Sequence, residues 1–451
     1  MNFRPLPFAP PIKVFKKVYK QFDSAYILES VTGPRKLAQY SFVGFEPRTI
    51  VKARGNELEV KDCREGHVER KNVVDPFCVM KKMQRGFISD RRWPRLIGGV
   101  VGYVSYDAIE YWERIKSSKK ESEIPRAEFG IFNDGIVFDH TKSQAFYYFR
   151  GEDRSKAVES VLEEPVDDTD LCYSQPKVNM GFDPFCEKVS RIKEYIFSGD
   201  IFQAVLSKRY EFKVEGNLIH FYESLRSINP SPYMYFLKIG DRQIVGSSPE
   251  MLVRVDNGMV ETFPIAGTRP KLDDKVANDI MQKELLIDPK ECAEHVMLVD
   301  LARNDIGKVC EFGSVQVSEF MKVHQYSHVQ HIVSRVVGKL RGDKDVFDAF
   351  RGIFPAGTVT GAPKIRAMEI IDELEPSRRG PYAGAVGYFS YNGNADFAIT
   401  IRTLVANGDN AYIQVGAGIV ADSDPSKEWL ETEYKAEALM KALKLSGRLR
   451  T

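Results

Sequence analysis

The 451-residue sequence predicts an α+β protein in which antiparallel β-sheets are flanked by helices. The composition is that of a globular protein, with 43% hydrophobic and 28% charged residues. Strand-like and helix-like segments come in blocks, whereas strict alternation would have indicated a doubly wound parallel sheet. No run approaches the ~18 consecutive apolar residues that a membrane-spanning helix needs.

The first third of the chain, from about Val14 to Phe149, is mostly strand-like. A hairpin is predicted around Gly55-Asn56, and further strands are predicted within 96–106 and 130–139. Residues 151–180 are acidic, polar and without periodicity, so they are predicted to be a linker.

Strands and helices also come in blocks after the linker. A helix is predicted over 182–198, and five strand-like segments follow it: 204–212, 233–238, 243–248, 251–255 and 259–265. Helices are predicted to dominate 274–306, 344–375 and 425–445, with strands at 385–391, 397–404 and 411–420. The chain is therefore expected to divide into residues 1–150, the linker 151–180, and residues 181–451.

Charge and cysteine usage exclude several classes of protein. The net charge is +1 and there is no block of Lys or Arg, which argues against a nucleic-acid or membrane partner. The six cysteines show no C-x-x-C spacing, so a disulfide framework and a zinc site are both disfavoured. The amino terminus has no uninterrupted apolar stretch of the kind found in signal peptides. A cytoplasmic protein is predicted.

Two glutamate pairs with i, i+3 spacing suggest a metal site. Each follows an Asp-Pro step that is predicted to start a helix, with the Asp as N-cap and the Pro as first residue. The pairs and their caps are Glu291/Glu294 after Asp288-Pro289 and Glu428/Glu431 after Asp424-Pro425. Residues three apart share a helix face, so each pair places two carboxylates side by side. Clustered carboxylates without a thiolate suit Mg²⁺.

An ordinary explanation of these glutamates stays open. Glu291 falls at the third helical position and is able to bond back to its own cap. Glu431 and Lys435 form a favourable i, i+4 pair for an exposed helix surface.

Other segments between the two pairs suggest an anion site. The segment 357–364, G-T-V-T-G-A-P-K, lacks the spacing of a nucleotide P-loop, but its backbone N–H groups suit a carboxylate, and Pro363 is able to open a helix. A second glycine-spaced turn is predicted at 415–419. Tight turns without a ligand are the alternative for both. His331 lies in an apolar segment, where a core histidine is the alternative. Arg402 lies in the predicted strand 397–404, where a charge needs an anionic partner.

Six segments together resemble the chorismate-utilising enzymes, a family that includes the large subunits of anthranilate and aminodeoxychorismate synthases and the isochorismate and salicylate synthases. The segments are P-I-A-G-T-R-P (264–270), E-H-V-M-L-V-D-L-A-R-N-D (294–305), Y-S-H-V-Q-H-I-V-S-R-V (326–336), G-T-V-T-G-A-P-K-I-R-A-M (357–368), G-A-V-G-Y (384–388) and G-A-G-I-V-A-D-S (416–423). The resemblance covers nearly the whole chain. It implies a two-lobed fold with a regulatory amino-terminal part and a catalytic carboxy-terminal part.

The resemblance also implies a role for each matching residue. Glu294 and Glu431 match direct Mg²⁺ ligands, and Glu291 and Glu428 match residues that hold metal-bound water. The matching substrate contacts are Gly416, Gly418 and Lys435 at the ring carboxylate, Tyr382 and Arg402 at the enolpyruvyl carboxylate, and the hydroxyls of Thr268 and Thr358. Glu250 matches the general acid that protonates the departing C4 hydroxyl, and His331 matches a histidine implicated in pyruvate loss.

Two positions indicate the nucleophile within this family. Gln203 stands where the water-using members carry a lysine, and Ala266 stands where aminodeoxychorismate synthases typically carry a nucleophilic lysine. The resemblance therefore implies that ammonia attacks chorismate and that anthranilate and pyruvate form. Aminodeoxychorismate synthase component I is the first alternative. A non-catalytic relative that binds a chorismate-like anion or an amino acid is the second.

The resemblance extends to regulation and to a partner. Segments 26–30 and 229–236 resemble tryptophan-binding elements, with Glu29, Ser30, Pro232, Tyr233 and Met234 as the predicted contacts. A core strand entered by a turn is the alternative. Two basic residues, Arg35 and Lys36, lie near enough in sequence to complete the site. No cysteine has glycine neighbours, so glutamine is expected to be used only with a glutamine amidotransferase subunit, anthranilate synthase component II.

Overall fold

The computed structural model of the protein describes residues 1–30, 39–84, 93–115, 117–165, 169–325 and 329–450, without the side chain of Thr268. Within these residues there are ten α-helices. They are α1 (Pro11–Gln21), α2 (Pro76–Met83), α3 (Ser155–Glu163), α4 (Phe182–Phe197), α5 (Ile219–Ile228), α6 (Lys275–Ile287), α7 (Pro289–Gly307), α8 (Val346–Ile353), α9 (Lys364–Leu374) and α10 (Pro425–Ser446).

The β-strands form two large sheets. Those of the first part of the chain are β1 (Asn2–Leu6), β2 (Ser24–Glu29), β3 (Tyr40–Phe45), β4 (Thr49–Arg54), β5 (Glu57–Asp62), β6 (Val68–Asn72), β7 (Gly99–Val104), β8 (Ala127–Phe132), β9 (Asp134–Asp139), β10 (Gln144–Phe149), β11 (Leu171–Tyr173) and β12 (Lys177–Val178). Those of the second part are β13 (Gln203–Glu215), β14 (Tyr233–Ile239), β15 (Arg242–Ser248), β16 (Met251–Asp256), β17 (Met259–Thr262), β18 (Ile265–Pro270), β19 (Gln316–Gln325), β20 (Val329–Lys339), β21 (Gly361–Ala362), β22 (Ala385–Ser390), β23 (Ala395–Ile399), β24 (Thr403–Asn407), β25 (Asn410–Ile419) and β26 (Gly447–Leu449).

Both sheets are antiparallel apart from one pair at the end of the first sheet, which confirms the predicted fold class. The first sheet has the strand order β1-β10-β9-β3-β2-β14-β15-β24-β25-β13-β11-β26, and β12 and β21 also pair with β13. The second has the order β18-β20-β17-β16-β23-β22-β7-β8-β4-β5-β6, and β19 also pairs with β20. Among the described strands, the only parallel pair is β11 with β26. The predicted hairpin around Gly55 is formed by β4 and β5.

Each sheet contains strands from both ends of the chain. In the first sheet β2 pairs with β14, and in the second β7 pairs with β22. The predicted linker 151–180 is more ordered than expected, because it contains α3, β11 and β12. Its apolar residues Val158, Val161 and Leu171 are buried in the core, a spacing too sparse to stand out in an acidic segment. The functional division of the chain stays a prediction.

Buried side chains join the two sheets and their helices. Tyr26 and Tyr235 of the first sheet and Tyr103 and Tyr388 of the second belong to one hydrophobic cluster, so these sheets pack against each other. A second cluster joins the first sheet to α1, α3, α5 and α10. A third joins the second sheet to α2, α7 and α8. The helices that carry the glutamate pairs, α7 and α10, thus pack against different sheets.

The predicted strand 397–404 is wrong as a single element. Strand β23 ends at Ile399 in the second sheet, and β24 begins at Thr403 in the first, so the chain crosses between the sheets at residues 400–402. Arg402 has a φ of +51°, which is unusual for a residue with a side chain. Strand propensity alone does not reveal such a crossing, because the residues on both sides of it are β-branched or apolar.

The predicted turn at 415–419 is also wrong. These residues form the end of β25, with Gly416 opposite Ser207 and Gly418 opposite Val205 of β13. The glycines are needed for close approach: a Cβ on Gly416 would lie 2.7 Å from the Tyr382 hydroxyl, and one on Gly418 would lie 2.8 Å from Nε2 of Gln203. Sequence alone does not distinguish this use of glycine from a turn.

Two further observations bear on the expectations from composition. All six cysteines are free thiols. In the described part of the chain, no helix is both long enough and apolar enough to cross a membrane.

Candidate active site

The two glutamate pairs lie on helices that begin as predicted. Asp288 caps α7 by accepting hydrogen bonds from the backbone N–H groups of Lys290 and Glu291, and Pro289 is the first helical residue. Asp424 caps α10 in the same way through the N–H of Lys427. Because α7 packs on β18 and β20 while α10 packs on β25, the pairs approach each other from different sheets.

All four glutamates line one open cavity of about 890 Å³, hereafter the outer cavity. Burial, together with repulsion from Glu291 and Glu431, raises the pKa of Glu294. Burial and the charge of Glu431 likewise raise the pKa of Glu428, against a hydrogen bond from Ser423. Carboxylates on the two helices therefore repel each other across the cavity, as Glu294 and Glu431 do.

This donor set fits Mg²⁺, which prefers oxygen ligands and keeps several waters. Among the described residues no three His, Cys, Asp or Glu side chains are placed to hold a metal together as they stand. Two carboxylates and an anionic ligand would complete such a site. Ion pairs with basic residues are an ordinary explanation for two of the four glutamates. Glu291 pairs with Arg269 at 3.2 Å, and Glu431 pairs with Lys435 at 2.6 Å.

A smaller cavity of about 220 Å³, the inner cavity, adjoins the outer one. The two share five of the predicted site residues: His331, Thr358, Arg402, Gly418 and Lys435. The inner cavity is also lined by Glu250, Ala266, Tyr382 and Gly416. The structure thus brings the predicted substrate residues to one place beside the glutamates.

Glu250 is a buried carboxyl group in the inner cavity. Burial raises its pKa to about 7, although the Thr358 hydroxyl and the charges of Arg402 and Lys435 offset part of the rise. A carboxyl with this pKa is partly protonated at neutral pH and is able to donate a proton. The backbone of Glu250 is fixed because its carbonyl accepts a hydrogen bond from the N–H of Ile399.

Arg402 brings a positive charge into the same cavity. Within the described chain its guanidinium makes no hydrogen bond or ion pair, and burial lowers its pKa. Arginine stays protonated in proteins, so a buried guanidinium without a partner favours an anionic ligand. The opposite charge that raises its pKa is that of Glu250, which is neutral when it acts as an acid.

Neighbouring groups complete the anion-binding surface. Lys435 donates to the carbonyl of Gly416 at 3.0 Å as well as to Glu431. The Thr358 hydroxyl is buried, and it makes no hydrogen bond of normal distance and angle with any described residue. Such a group is normally satisfied by a ligand or water.

His331 is held in one tautomer by the backbone. Its Nδ1 lies 2.9 Å from the carbonyl oxygen of Gly267, so Nδ1 carries the proton and Nε2 is the basic nitrogen. Burial and the Arg402 charge lower the pKa of His331, which favours the neutral ring. Thr268 lies opposite His331 in the β18–β20 pair.

Gln203 and Ala266, the two residues predicted to determine which nucleophile attacks, both line the candidate active site. Gln203 lines the outer cavity, and its Nε2 lies 3.5 Å from Oε1 of Glu294. Its buried Oε1 has no hydrogen-bond partner among the described residues. Ala266 contributes only a methyl group to the inner cavity. Neither position offers a basic side chain.

A separate small cavity lies between the sheets, and four of the five predicted regulatory residues line it: Glu29, Ser30, Tyr233 and Met234. Pro232 lies just behind the wall, where its carbonyl accepts a hydrogen bond of 2.6 Å from the Ser30 hydroxyl. Glu29 accepts hydrogen bonds from Tyr222 at 2.7 Å and from Arg226 at 3.2 Å, both through Oε2, so one oxygen of its carboxylate is already engaged.

Arg95 is a wall residue of the small cavity that the sequence analysis did not identify. The two basic residues considered there, Arg35 and Lys36, lie outside the described residues. Arg95 precedes the buried stretch that leads into β7, far in sequence from both tryptophan-like segments. Only the pairing of strands from distant parts of the chain brings it to this cavity.

Comparison with known proteins identifies the family of this chain. The chorismate binding enzyme family matches residues 23–441. The chain therefore belongs to the family of chorismate-binding enzymes.

Two relatives with 44–48% identity agree on a narrower class. Anthranilate synthase component 1 of Methanothermobacter marburgensis is 48% identical over 98% of this chain and 94% of its own length. The protein of the same name from Acetivibrio thermocellus is 44% identical over 98% and 94%. The resemblance to anthranilate synthase component I and the assignment as an enzyme are thereby confirmed.

Solved structures agree with the fold. Anthranilate synthase component I from Streptococcus pneumoniae superposes with a TM-score of 0.80 and 38% identity, over 89% of this chain and 92% of that one. The menaquinone-specific isochorismate synthase of Escherichia coli superposes with a TM-score of 0.75 over 98% of this chain and 94% of that one. At 17% identity, the second likeness concerns the fold alone.

Proposed function

We propose that the chain converts chorismate and ammonia to anthranilate and pyruvate with Mg²⁺, as the first step of tryptophan biosynthesis. One observation carries the proposal. The inner cavity joins a buried arginine, Arg402, which has no partner among the described residues, to a buried acid, Glu250, whose pKa is raised to about 7. This pair suits a dianionic substrate from which a hydroxyl group leaves.

Substrate binding uses both cavities. Arg402 and Tyr382 hold the enolpyruvyl carboxylate, the former through its bidentate fork. The ring carboxylate faces Gly416, Gly418 and Lys435 beside the glutamates. Glu294 and Glu431 would bind Mg²⁺ directly and Glu291 and Glu428 would bind its waters, and the ion would offset the charge of the glutamates and of this carboxylate.

The first step replaces oxygen by nitrogen on the ring. Ammonia forms a bond to C2, the ring double bonds shift, and the C4–O bond breaks. Protonated Glu250 supplies the proton with which the C4 hydroxyl leaves as water. The Thr358 hydroxyl contacts the substrate and orients it, and the same role, expected of Thr268 from the resemblance, concerns a side chain outside the described part of the structure. The product of this step is aminodeoxyisochorismate.

The second step forms the aromatic ring. A proton leaves C2, the C3–O bond breaks, and the enolpyruvyl group departs to become pyruvate. His331 is the group proposed to take part, because its Nε2 is the basic nitrogen of a neutral ring in the cavity wall.

The identities of Gln203 and Ala266 favour ammonia over other nucleophiles. An amide has no basic nitrogen with which to activate water, and a methyl group cannot attack the ring. The alternative is aminodeoxychorismate synthase component I, which acts in the folate pathway. Ala266, in the wall of the inner cavity, is the observation against it.

The proposed activity is tested with the purified chain, chorismate, Mg²⁺ and ammonium at alkaline pH. Anthranilate and pyruvate should appear in equal amounts, with the aromatic product identified by fluorescence and retention time. Accumulation of 4-amino-4-deoxychorismate instead would show that the folate-pathway alternative is correct. No consumption of chorismate would favour a binding protein.

Glutamine should become a nitrogen source through a glutamine amidotransferase subunit. None of the six cysteines has the glycine neighbours of an amidotransferase nucleophile. In the structure they are scattered, and Cys310 is buried. The partner would release ammonia, which then enters the outer cavity.

Tryptophan is the proposed inhibitor, and the small cavity is its proposed site. Tyr233 and Met234 offer apolar surface for an indole, and Glu29 and Ser30 offer acceptors for the ammonium group. Arg95 is the proposed partner of the tryptophan carboxylate, because it is the arginine in the cavity wall.

A further inference from the structure

One loop separates the outer cavity from the small cavity. Asn229, Pro230 and Ser231 line the outer cavity, whereas Tyr233 and Met234, the first residues of β14, line the small one. The two walls are therefore consecutive pieces of the same backbone. A ligand that displaced the loop on one side would therefore change the wall on the other side.

Ser247 joins this loop to Arg402. It is fully buried at the end of β15, directly opposite Met234. Its hydroxyl donates to the carbonyl of Asn229 and lies 2.9 Å from the Ser231 hydroxyl. Its backbone N–H donates to the carbonyl of Arg402 at 3.1 Å. One residue thus holds the loop with its side chain and the arginine with its main chain.

Arg402 needs support of this kind. It lies where the chain crosses from β23 to β24, and its φ of +51° is unusual for a residue with a side chain. Its guanidinium has no partner in the described part of the chain, so no side-chain contact there fixes its direction. The direction of the guanidinium therefore depends on the backbone that Ser247 holds.

A second contact reaches the crossing from the small cavity. The Tyr233 hydroxyl donates to Asp396 at 3.0 Å, and Asp396 lies on β23, the strand that leads to Arg402. The wall of the small cavity is thus bonded to the strand before the crossing and, through Ser247, to the crossing itself.

We infer that Ser247 is a positioning residue that fixes Arg402 for substrate binding and transmits occupation of the small cavity to it. The transmission rests on the proposed inhibition by tryptophan, whereas the positioning of Arg402 does not. Ser247 lines neither cavity, so it acts only through the loop and the arginine.

The test compares the wild type with Ser247→Ala, which removes the hydroxyl but keeps the N–H. Without the hydroxyl, the backbone of Ser247 is no longer tied to the loop and holds Arg402 less firmly. In the absence of tryptophan, KM for chorismate should therefore rise about two- to fivefold while kcat stays within twofold, because Arg402 binds and does not react. Tryptophan should still bind, as measured by equilibrium dialysis. Its effect on the affinity for chorismate, about 5–150-fold in a typical coupled pair, should fall below about threefold.

A matched control is Ser105→Ala. Ser105 is also buried, its hydroxyl donates to the carbonyl of Pro125 at 2.8 Å, and it lines none of the three cavities. This variant should keep both KM and the full effect of tryptophan. Ser231→Ala, which removes a partner of Ser247, should reproduce the loss of coupling and serves if Ser247→Ala does not fold.

Coupling is also measurable without catalysis. In a Glu250→Gln background chorismate is not consumed, and it should weaken tryptophan binding by the same factor as in the reverse direction. Unchanged KM and coupling in Ser247→Ala would overturn the inference, and so would loss of tryptophan binding. A wild type that does not bind tryptophan would refute the proposed regulation instead, while the comparison of KM with Ser105→Ala would still test the positioning of Arg402.

Discussion

Glu250 holds a buried carboxyl whose ionisation is unfavourable in the folded protein. Its pKa rises from 4.5 when exposed to about 7 in the structure. Between these values the folded state binds a proton that the unfolded state has lost, so stability falls as pH rises through this window. The same shift keeps a proton available for the leaving hydroxyl. The raised pKa of Glu250 therefore favours catalysis but lowers the stability of the fold at neutral and alkaline pH.

We predict that Glu250→Gln abolishes turnover and stabilises the fold above pH 7. The gain should be on the order of 3 kcal/mol at most and should vanish below about pH 4.5. Thermal unfolding at pH 4.5 and pH 8 measures it. Glu437→Gln, an exposed glutamate at the rim of the outer cavity, is the control and should show neither effect. Equal stability of Glu250→Gln and the wild type at pH 8 would contradict the raised pKa.

The pH dependence of the wild type should have two components. With total ammonium fixed, the rate should first rise with pH because the fraction of NH₃ rises. With NH₃ held constant, kcat/KM should fall as pH rises through about 7, since the acid form of Glu250 is lost. A flat profile at constant NH₃ would exclude Glu250 as the general acid.

Gln203 and Ala266 should control which nucleophile attacks. Gln203→Lys adds a general base beside Glu294 and should divert part of the chorismate to isochorismate. Ala266→Lys places an amine in the inner cavity and should slow anthranilate formation. Product analysis and intact-protein mass spectrometry, which detects a covalent adduct, measure these outcomes. Anthranilate as the sole product at an unchanged rate in both variants would contradict the assignment.

At the scale of elements, α7 and α10 act as a pair, because each presents two carboxylates from a different sheet. We predict that Glu294→Gln or Glu431→Gln abolishes turnover and Mg²⁺ binding while the fold is kept. Glu291→Gln and Glu428→Gln should cost about 10–100-fold, as changes to outer ligands do. Calorimetric titration with Mg²⁺ and assays after chelation test this. Full activity in EDTA would refute the metal proposal.

The helix starts and several strands of this site could be predicted from sequence, whereas the pairing of the strands could not. Asp288-Pro289 and Asp424-Pro425 are local signals, and a cap depends only on its own helix. The crossing at Arg402 and the strand position of Gly416 depend on which distant strands pair. Arg95 was missed for the same reason, because its cavity is formed by β2, β14 and β22 together. The resemblance to a family supplied the predicted roles, which the residues alone left open.

At the scale of the whole molecule, the small cavity is separate from the adjoining inner and outer cavities. This separation makes inhibition at a distance feasible. We predict that tryptophan raises KM for chorismate in the wild type and that Arg95→Ala weakens tryptophan binding at least tenfold, because the carboxylate loses its cationic partner. KM for chorismate without tryptophan should not change in this variant. Arg95→Lys should restore part of the binding. Undiminished tryptophan binding in Arg95→Ala would contradict the assigned site.

The supply of nitrogen is also a property of the assembly. Alone, the chain should use ammonia and not glutamine. Addition of a glutamine amidotransferase subunit should allow glutamine to replace ammonium salts, as measured by anthranilate fluorescence. Glutamine-dependent anthranilate formation by the isolated chain would refute the need for a partner.

The interleaving of distant strands has a consequence for biosynthesis. Strand β2 pairs with β14, with Glu29 opposite Met234, and β7 pairs with β22, with Val101 opposite Tyr388. In both pairs the second strand is synthesised long after the first. During synthesis the first part of the chain therefore leaves the ribosome with two unpaired strand edges. Neither sheet is complete until nearly the whole chain has emerged. Long-range pairing of this kind slows folding, and exposed edges favour aggregation. Recombinant yield should accordingly depend on chaperones and on slow translation more than on the final stability of the protein.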